Sequence, residues 1–289
     1  MAIDYERLKT RPFPIQKHTY SPRDTMLYAL GVGLGHDPLE CKQLEFVYER
    51  NLVALPTMTV VLGYPGFWLK ESDTGVDWRQ VLHGEQWLTL HEPLPASGTV
   101  TGSTRVLEIL DKGPAKGAII YSARDITDSE SGKLLATVTQ SAVCRGDGGF
   151  GGPREWPECP RPHPIPELSP DDRVTLTTRP EAALIYRLSG DYNPLHADPA
   201  AAGSAGFTRP ILHGLATYGI AGHAILKSRC DYAANRLRRL DCRFSAPVYP
   251  GESIVTEIWN LTERTFAFRC LAAERDVVVL NNGYAEIAP

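Results

Sequence analysis

The sequence predicts an α+β fold made of two copies of one unit, each a helix followed by antiparallel strands. Three observations carry this reading. Landmarks recur at a near-constant offset: Tyr28-Ala-Leu answers Tyr186-Arg-Leu (186 − 28 = 158), Leu55-Pro56 answers Arg209-Pro210 (210 − 56 = 154), and Glu92-Pro93 answers Ala246-Pro247 (247 − 93 = 154). Within each half, helical patterning comes first and alternating patterning follows. Between the halves, residues 153–170 hold seven of the 23 prolines, which favours an extended path and excludes a central strand. The chain of 289 residues is 43% apolar and 22% charged, and its length allows two domains of ordinary size or one large one. The expected organisation is a first unit over 1–152, a linker over 153–170 and a second unit over 171–289.

The elements follow in order. Residues 21–35 begin with Ser21, Pro22 and Asp24, a good helix start, and end in the glycines 31, 33 and 35. Those glycines close a helix rather than follow a strand, so they are no dinucleotide fingerprint. Residues 44–48 read as a short strand and 55–63 as a second buried helix. Over 81–95 the pattern alternates and reads as a strand, and further strands are expected over 98–110, 117–127 and 134–143, with turns at 111–113 and 128–132. In the second half, 181–188 reads as a helix. Residues 210–221 read as a buried helix whose first turn carries Gly214. Strands follow over 239–244, 253–261, 265–273 and 276–285.

Composition excludes several classes. A formal net charge of −4 offers no general grip on nucleic acid or an anionic membrane. The six cysteines include no C-x-x-C pair, which removes the usual zinc and thioredoxin-like patterns and suits a reducing compartment. No apolar run reaches membrane-spanning length, the N-terminus has no secretory core, and the last residues are not a peroxisomal tripeptide. A cytoplasmic protein is expected. Ser204 lies in GSAGF, not in a nucleophile elbow.

The chemistry concentrates in residues 189–219. Asp191, Asn193 and His196 lie close together, divided by Pro194, which bars a regular helix. Alone, they could be an Asx-turn beside a surface histidine. Together with Gly214 at a buried helix start they make a set able to add water beside a carbonyl. A carboxylate and an imidazole can move protons, and a helix-start N–H can hold an oxyanion. Which of Asp191 and His196 is the acid stays open, and His213 reads as a core histidine. The first half has Val32-Gly33-Leu34-Gly35 and Met58-Thr59 at the corresponding places, so it is expected to be catalytically silent. Its glycines remove side-chain volume at that place.

The strings GDYNPLHADP and AGFTRPILHGL resemble the signature of the MaoC-like hydratases, most closely the (R)-specific enoyl-CoA hydratase 2 type found as a domain of type 2 peroxisomal multifunctional enzymes. YSPRDTMLYALGVG, VLHGEQWLTL, EILDKG and RFSAPVYPGESIVTEIW extend the likeness across almost the whole chain. The resemblance implies a double hot-dog fold and hydration of trans-2-enoyl-CoA to (3R)-3-hydroxyacyl-CoA, with the glycines of the silent first half (1–152) expected to leave room for the acyl tail. It implies catalysis by Asp191, Asn193, His196 and Gly214. CoA-ester contacts would come from His83, Gly84, Lys112, Tyr192, Pro194, Leu195 and Phe244. Lys112 has a direct reason, since an ammonium suits a CoA phosphate, although a turn lysine is commonly just exposed. No metal and no cofactor is expected, the CoA thioester being the substrate. A homodimer is expected, with no nucleic acid or membrane partner. The competing readings are a dehydratase of a polyketide, steroid side-chain or branched acyl thioester, a hot-dog thioesterase, and a non-enzymatic acyl-CoA binder.

Overall fold

The computed structural model describes residues 2–289. The chain enters on α1 (Tyr5–Lys9), capped by the Asp4 carboxylate, and an edge strand β1 (Gln16–Tyr20). α2 (Pro22–Gly31) starts where expected: the Asp24 carboxylate accepts from the Ser21 N–H at 2.8 Å and from its hydroxyl at 2.7 Å. Two sequence expectations then fail. Residues 44–48 are not a strand but the one-turn helix α3 (Leu44–Val47). Apolar residues at 44, 46 and 47 satisfy either period over so short a run, and burial of Phe46 against Tyr232 (ring centroids 6.3 Å apart) decides the outcome. Residues 55–63 hold only a 3₁₀ segment, Pro56–Val61. The β-branched run Thr57, Thr59, Val60, Val61 is poorly suited to an α-helix.

Strands β2 (Val81–Leu90), β3 (Gly98–Asp111), β4 (Ala118–Asp128) and β5 (Leu134–Cys144) complete the first half. Residues 153–170 form neither helix nor strand. The second half comprises β6 (Asp172–Thr177), α4 (Ala182–Tyr186), α5 (Pro199–Ser204), α6 (Gly214–Arg229), β7 (Leu237–Phe244), β8 (Ser253–Asn260), β9 (Thr265–Ala272) and β10 (Val277–Ile287). The edge strands β1 and β6 and the helices α1 and α5 were not foreseen.

All ten strands lie in one antiparallel sheet, in the order β1-β3-β4-β5-β2-β7-β10-β9-β8-β6. Read from either end, the order repeats the same pattern. The two halves meet where β2 pairs with β7, and Trp87 stands opposite Asp241 (241 − 87 = 154), the offset found between the halves in sequence. This is a double hot-dog fold, with one difference from the expected unit. Only the second half owns a long central helix, α6, and the 3₁₀ segment of the first half packs against it.

The main core lies between this sheet face and α2, α4 and α6, and it runs through both halves. α6 is buried from Ala216 to Leu226. The segment after α2, expected to leave room for a ligand, is instead packed solid: Val32 is 0% and Leu34 1% exposed. Val32 sits against Gly219 of α6 so closely that a Cβ there would lie 2.5 Å from the Val32 Cγ1. On the opposite face, Trp87, Leu110 and Tyr121 are covered by Trp156 and Cys159 of the proline-rich segment. His163 of that segment reaches Asp241 at 3.1 Å and stacks on Tyr284. All six cysteines are free thiols. Among the described residues, no helix is long and apolar enough to cross a membrane.

The contact at Gly219 yields a test in which one substitution has opposite signs at two sites. Gly219→Ala should lower stability by about 1–3 kcal/mol, because the new methyl overpacks a core with nowhere to move. Gly203→Ala, in α5 with nothing within 4 Å of the new methyl, should be neutral or gain up to about 1 kcal/mol. Urea unfolding of the two variants beside the parent measures both.

Candidate active site

The segment joining α4 to α6 folds by short-range polar contacts. After α4 a 3₁₀ turn, Arg187–Ser189, ends at Gly190 with φ of 117°. The Asp191 carboxylate accepts the Asn193 N–H at 3.1 Å, and the Asn193 side-chain carbonyl accepts the Leu195 N–H at 3.1 Å. Asn193 thereby caps the 3₁₀ turn Pro194–His196. This contact shapes the turn that carries His196.

His196 is 7% exposed, and its Nδ1 lies 2.9 Å from the carbonyl of Ile211. A carbonyl can only accept, so Nδ1 carries the proton and Nε2 keeps a lone pair. His213, the residue before α6, stacks on His196 with ring centroids 3.7 Å apart and planes at 26°. The His213 Nε2 donates to the Asp191 backbone carbonyl at 3.1 Å, and its buried Nδ1 has no partner among the described residues. Behind it, the ring of Tyr186 lies 5.0 Å away. Burial pushes His196 below the ordinary imidazole range. It pushes His213 down to about 4, helped by the neighbouring His196. Both rings are therefore neutral at neutral pH.

Asp191, by contrast, is exposed. One carboxylate oxygen of Asp191 and one nitrogen of each imidazole lie within 4.8 Å of one another. Such a trio also has the make-up of a metal-ligand set, with the two rings stacked in separate layers, centroids 3.7 Å apart.

Gly214 opens α6, and no side chain among the described residues caps that helix. Its N–H is one of the orphan donors of a helix start, backed by the dipole of a 16-residue helix. The ring of Phe244, at the end of β7, closes on it: a Cβ at position 214 would lie 3.2 Å from the Phe244 Cε1. His83 in turn meets Phe244, with centroids 4.5 Å apart. Gly84 explains how His83 gets there. The β2–β5 register slips between His83 and Glu85, a bulge, and a side chain at 84 would strike the Ser141 Oγ at 2.7 Å. Sheet geometry by itself thus asks for a glycine at 84. Loss of water contact pushes His83 down to about 4, which keeps it neutral as well.

The structure thus gathers Asp191, Asn193, Pro194, Leu195, His196, Gly214, Phe244 and His83 around the start of α6. Two candidates stand apart. Lys112 lies on the β3–β4 turn, at the same end of the sheet as His83, and donates to the Arg154 carbonyl at 2.8 Å. Tyr192 is 59% exposed with the Arg187 guanidinium over its ring. His213 is the functional neighbour that the sequence reading put in the core. It is buried as expected, yet it also orients the Asp191 backbone and flanks His196. The His-Gly pair opening a buried helix was the available signal.

Both halves of the chain are similar to known proteins. A family model described as MFE-2 hydratase 2 N-terminal domain matches residues 18–146, and one described as MaoC like domain matches residues 163–280. The chain is 41% identical to a 3-hydroxyacyl-thioester dehydratase Y from Mycobacterium tuberculosis, over 99% of each chain. It is 36% identical to a probable enoyl-CoA hydratase 2 from Dictyostelium discoideum, over 100% of this chain and 98% of the other. The crystal structure of a MaoC-like dehydratase from Phytophthora capsici superposes with a TM-score of 0.86 at 32% identity, covering 98% of both chains. With both halves matched and full-length relatives on either side of the hydration reaction, the chain belongs to the MaoC-like hydratase 2 family and is a hydro-lyase.

Proposed function

We propose that this protein hydrates trans-2-enoyl-CoA to (3R)-3-hydroxyacyl-CoA, and reversibly dehydrates the product. The observation that carries the proposal is a neutral imidazole with its Nε2 free, beside a carboxylate and an uncapped helix N-terminus. In the proposed reaction, water attacks C3 while the His196 Nε2 takes one of its protons. The imidazolium so formed has the Asp191 carboxylate beside it as counter-charge. Electron density moves onto the thioester oxygen, where the Gly214 N–H holds it; donors of this kind are worth about 2.7–4 kcal/mol each. The proton then passes to C2, the oxyanion collapses, and the site returns to its starting state with water added across the double bond. His213 is a positioning residue here: it holds the Asp191 backbone and stacks on the base.

The (3R) outcome is supported by the hydratase 2 likeness. The dehydration direction is supported by the relative named as a 3-hydroxyacyl-thioester dehydratase, and it uses the same groups in reverse order. In this reading the first half carries no chemistry and holds the acyl tail on the inner face of its strands, since the glycine segment after α2 is filled. The working form is taken as a cytoplasmic homodimer without a bound cofactor. Lys112 and Tyr192 are taken as contacts to the CoA moiety at the rim.

Purified protein with trans-2-butenoyl-CoA should lose the absorbance of the conjugated double bond, and chiral analysis should return the (3R) product. An (S) product or no turnover rejects the proposal. Asp191→Asn and His196→Gln should each lower kcat by about 10²–10⁴-fold while circular dichroism stays unchanged. Asn193→Ala should act differently, costing about 0.5–2 kcal/mol of stability as a lost cap with a smaller loss of kcat. If Asn193→Ala proved as damaging to kcat as His196→Gln at equal folding, its assignment as a cap would be wrong.

A further inference from the structure

The inner face of β4 carries a charge that the proposed chemistry does not use. Arg124 is 4% exposed, and it stands between Ile120 and Ile126 on the face that bears the core. One Nη donates to the Val60 carbonyl at 2.6 Å, and the guanidinium lies 5.3 Å from the centre of the Tyr64 ring. Its Nε is buried without a partner, and no carboxylate among the described residues pairs with it. Burial lowers it to about 10, so it remains a cation at neutral pH. An unpaired buried guanidinium is costly, and structures normally satisfy one.

Its surroundings are polar in the same unfinished way. Thr104, directly opposite on β3, has a buried hydroxyl without a partner, and so does the carbonyl of the Gln86 side chain on β2. Ser122, the next inward residue on β4, is 5% exposed and sits opposite Gln140. Placement along the sheet orders these groups relative to the reaction. Ile120 and His83 share one level, since both pair with Ala142. The Lys112 turn lies beyond the Ala118 end of β4. Arg124 lies four residues to the other side of Ile120, about 13 Å along the strand. His83, one of the groups around the start of α6, therefore lies between the Lys112 turn and Arg124 along the sheet.

We propose that Arg124 is a receptor for a carboxylate carried on the acyl chain, so that the preferred substrate is an enoyl-CoA with an anionic oxygen group distant from the thioester. This rests on the hydratase reading for the direction of the chain but not for the anion itself. The guanidinium has already lost its water on folding, so a carboxylate arriving there gains a charge-assisted, bidentate partner without that cost being met again. The orphaned Thr104 hydroxyl can donate to the same group. A plain alkyl tail would leave all of these unpaired.

The test compares trans-2-decenoyl-CoA with its ω-carboxy counterpart, trans-2-decenedioyl-CoA, alongside trans-2-butenoyl-CoA, whose chain is too short to reach Arg124. The parent should favour the ω-carboxy substrate in kcat/KM by about tenfold or more. Arg124→Met should erase that preference while leaving trans-2-butenoyl-CoA turnover within about threefold, and Arg124→Lys should keep part of it. Binding of decanoyl-CoA and ω-carboxydecanoyl-CoA to the parent, by calorimetry, reads the same preference without turnover. Calorimetry therefore still decides the proposal if no enoyl-CoA is hydrated, a result that would reject the hydratase reading instead. Equal binding of the two saturated esters overturns the proposal, as does a preference that survives in Arg124→Met. If Arg124→Met weakens both esters equally, the anion met by Arg124 belongs to CoA and the tail assignment is wrong. Should Arg124→Met fail to fold, the parent comparison and Arg124→Lys carry the decision.

Discussion

The pairing of β2 with β7 is the constraint on which the rest depends. It makes one sheet of two halves and puts Leu88 opposite Leu240, both fully buried in the shared core. It also brings the end of β7 beside the start of β2, so that Phe244 meets His83 and closes over Gly214. The hydrogen bonds of a ten-stranded ladder hold that junction far more rigidly than a loop could, which is what a site for proton transfer needs. The reactive groups then hang from one α6 terminus and one capped turn, each fixed by short-range contacts.

Duplication of a fold frees one copy from the constraints on the other. The second half keeps a long central helix and the groups at its start. The first half has a 3₁₀ segment in the corresponding place, and α6 leans into the space: a Cβ at Gly222 would lie 2.6 Å from the Thr57 Cγ2. What remains of the first half is sheet, and the inner surface of that sheet carries Arg124, Thr104, Ser122 and Gln86 in addition to aliphatic residues. In the proposed function one half does the chemistry on a fixed thioester, and the other is free to vary in what it holds. Selectivity in such an arrangement arises from interactions that persist into the transition state, far from the reacting carbons.

Much of this was legible in the sequence, and the exceptions have physical causes. The α+β class, the duplication and the eight long strands follow from periodicities that a long element cannot hide. The edge strands β1 and β6, partly exposed and only five or six residues long, lack the length for a period to show. Residues 44–48 and 55–63 were misread because short buried apolar runs fit helix and strand alike. At the site, the structure brings Asp191 and His196 together with the α6 start at Gly214, a grouping that could be read. The roles of their neighbours could not. That Asn193 caps a turn, that Gly84 makes a bulge and that His213 stacks on His196 depend on where other segments pass. Arg124 gave no sequence signal, because a single arginine in a strand looks like any solvated charge until its burial is known.

Everything in the mechanism turns on His196 being neutral with its lone pair on Nε2. The most direct measurement is nitrogen-15 NMR of the histidine side chains across a pH titration, with His196 assigned by its loss in His196→Gln. The account predicts a neutral Nδ1–H tautomer at pH 7 and a midpoint below the ordinary 6.5, because burial disfavours the cation. A midpoint above 6.5, or an Nε2–H tautomer at neutral pH, would contradict it, since the site would then have no base to take the proton from water.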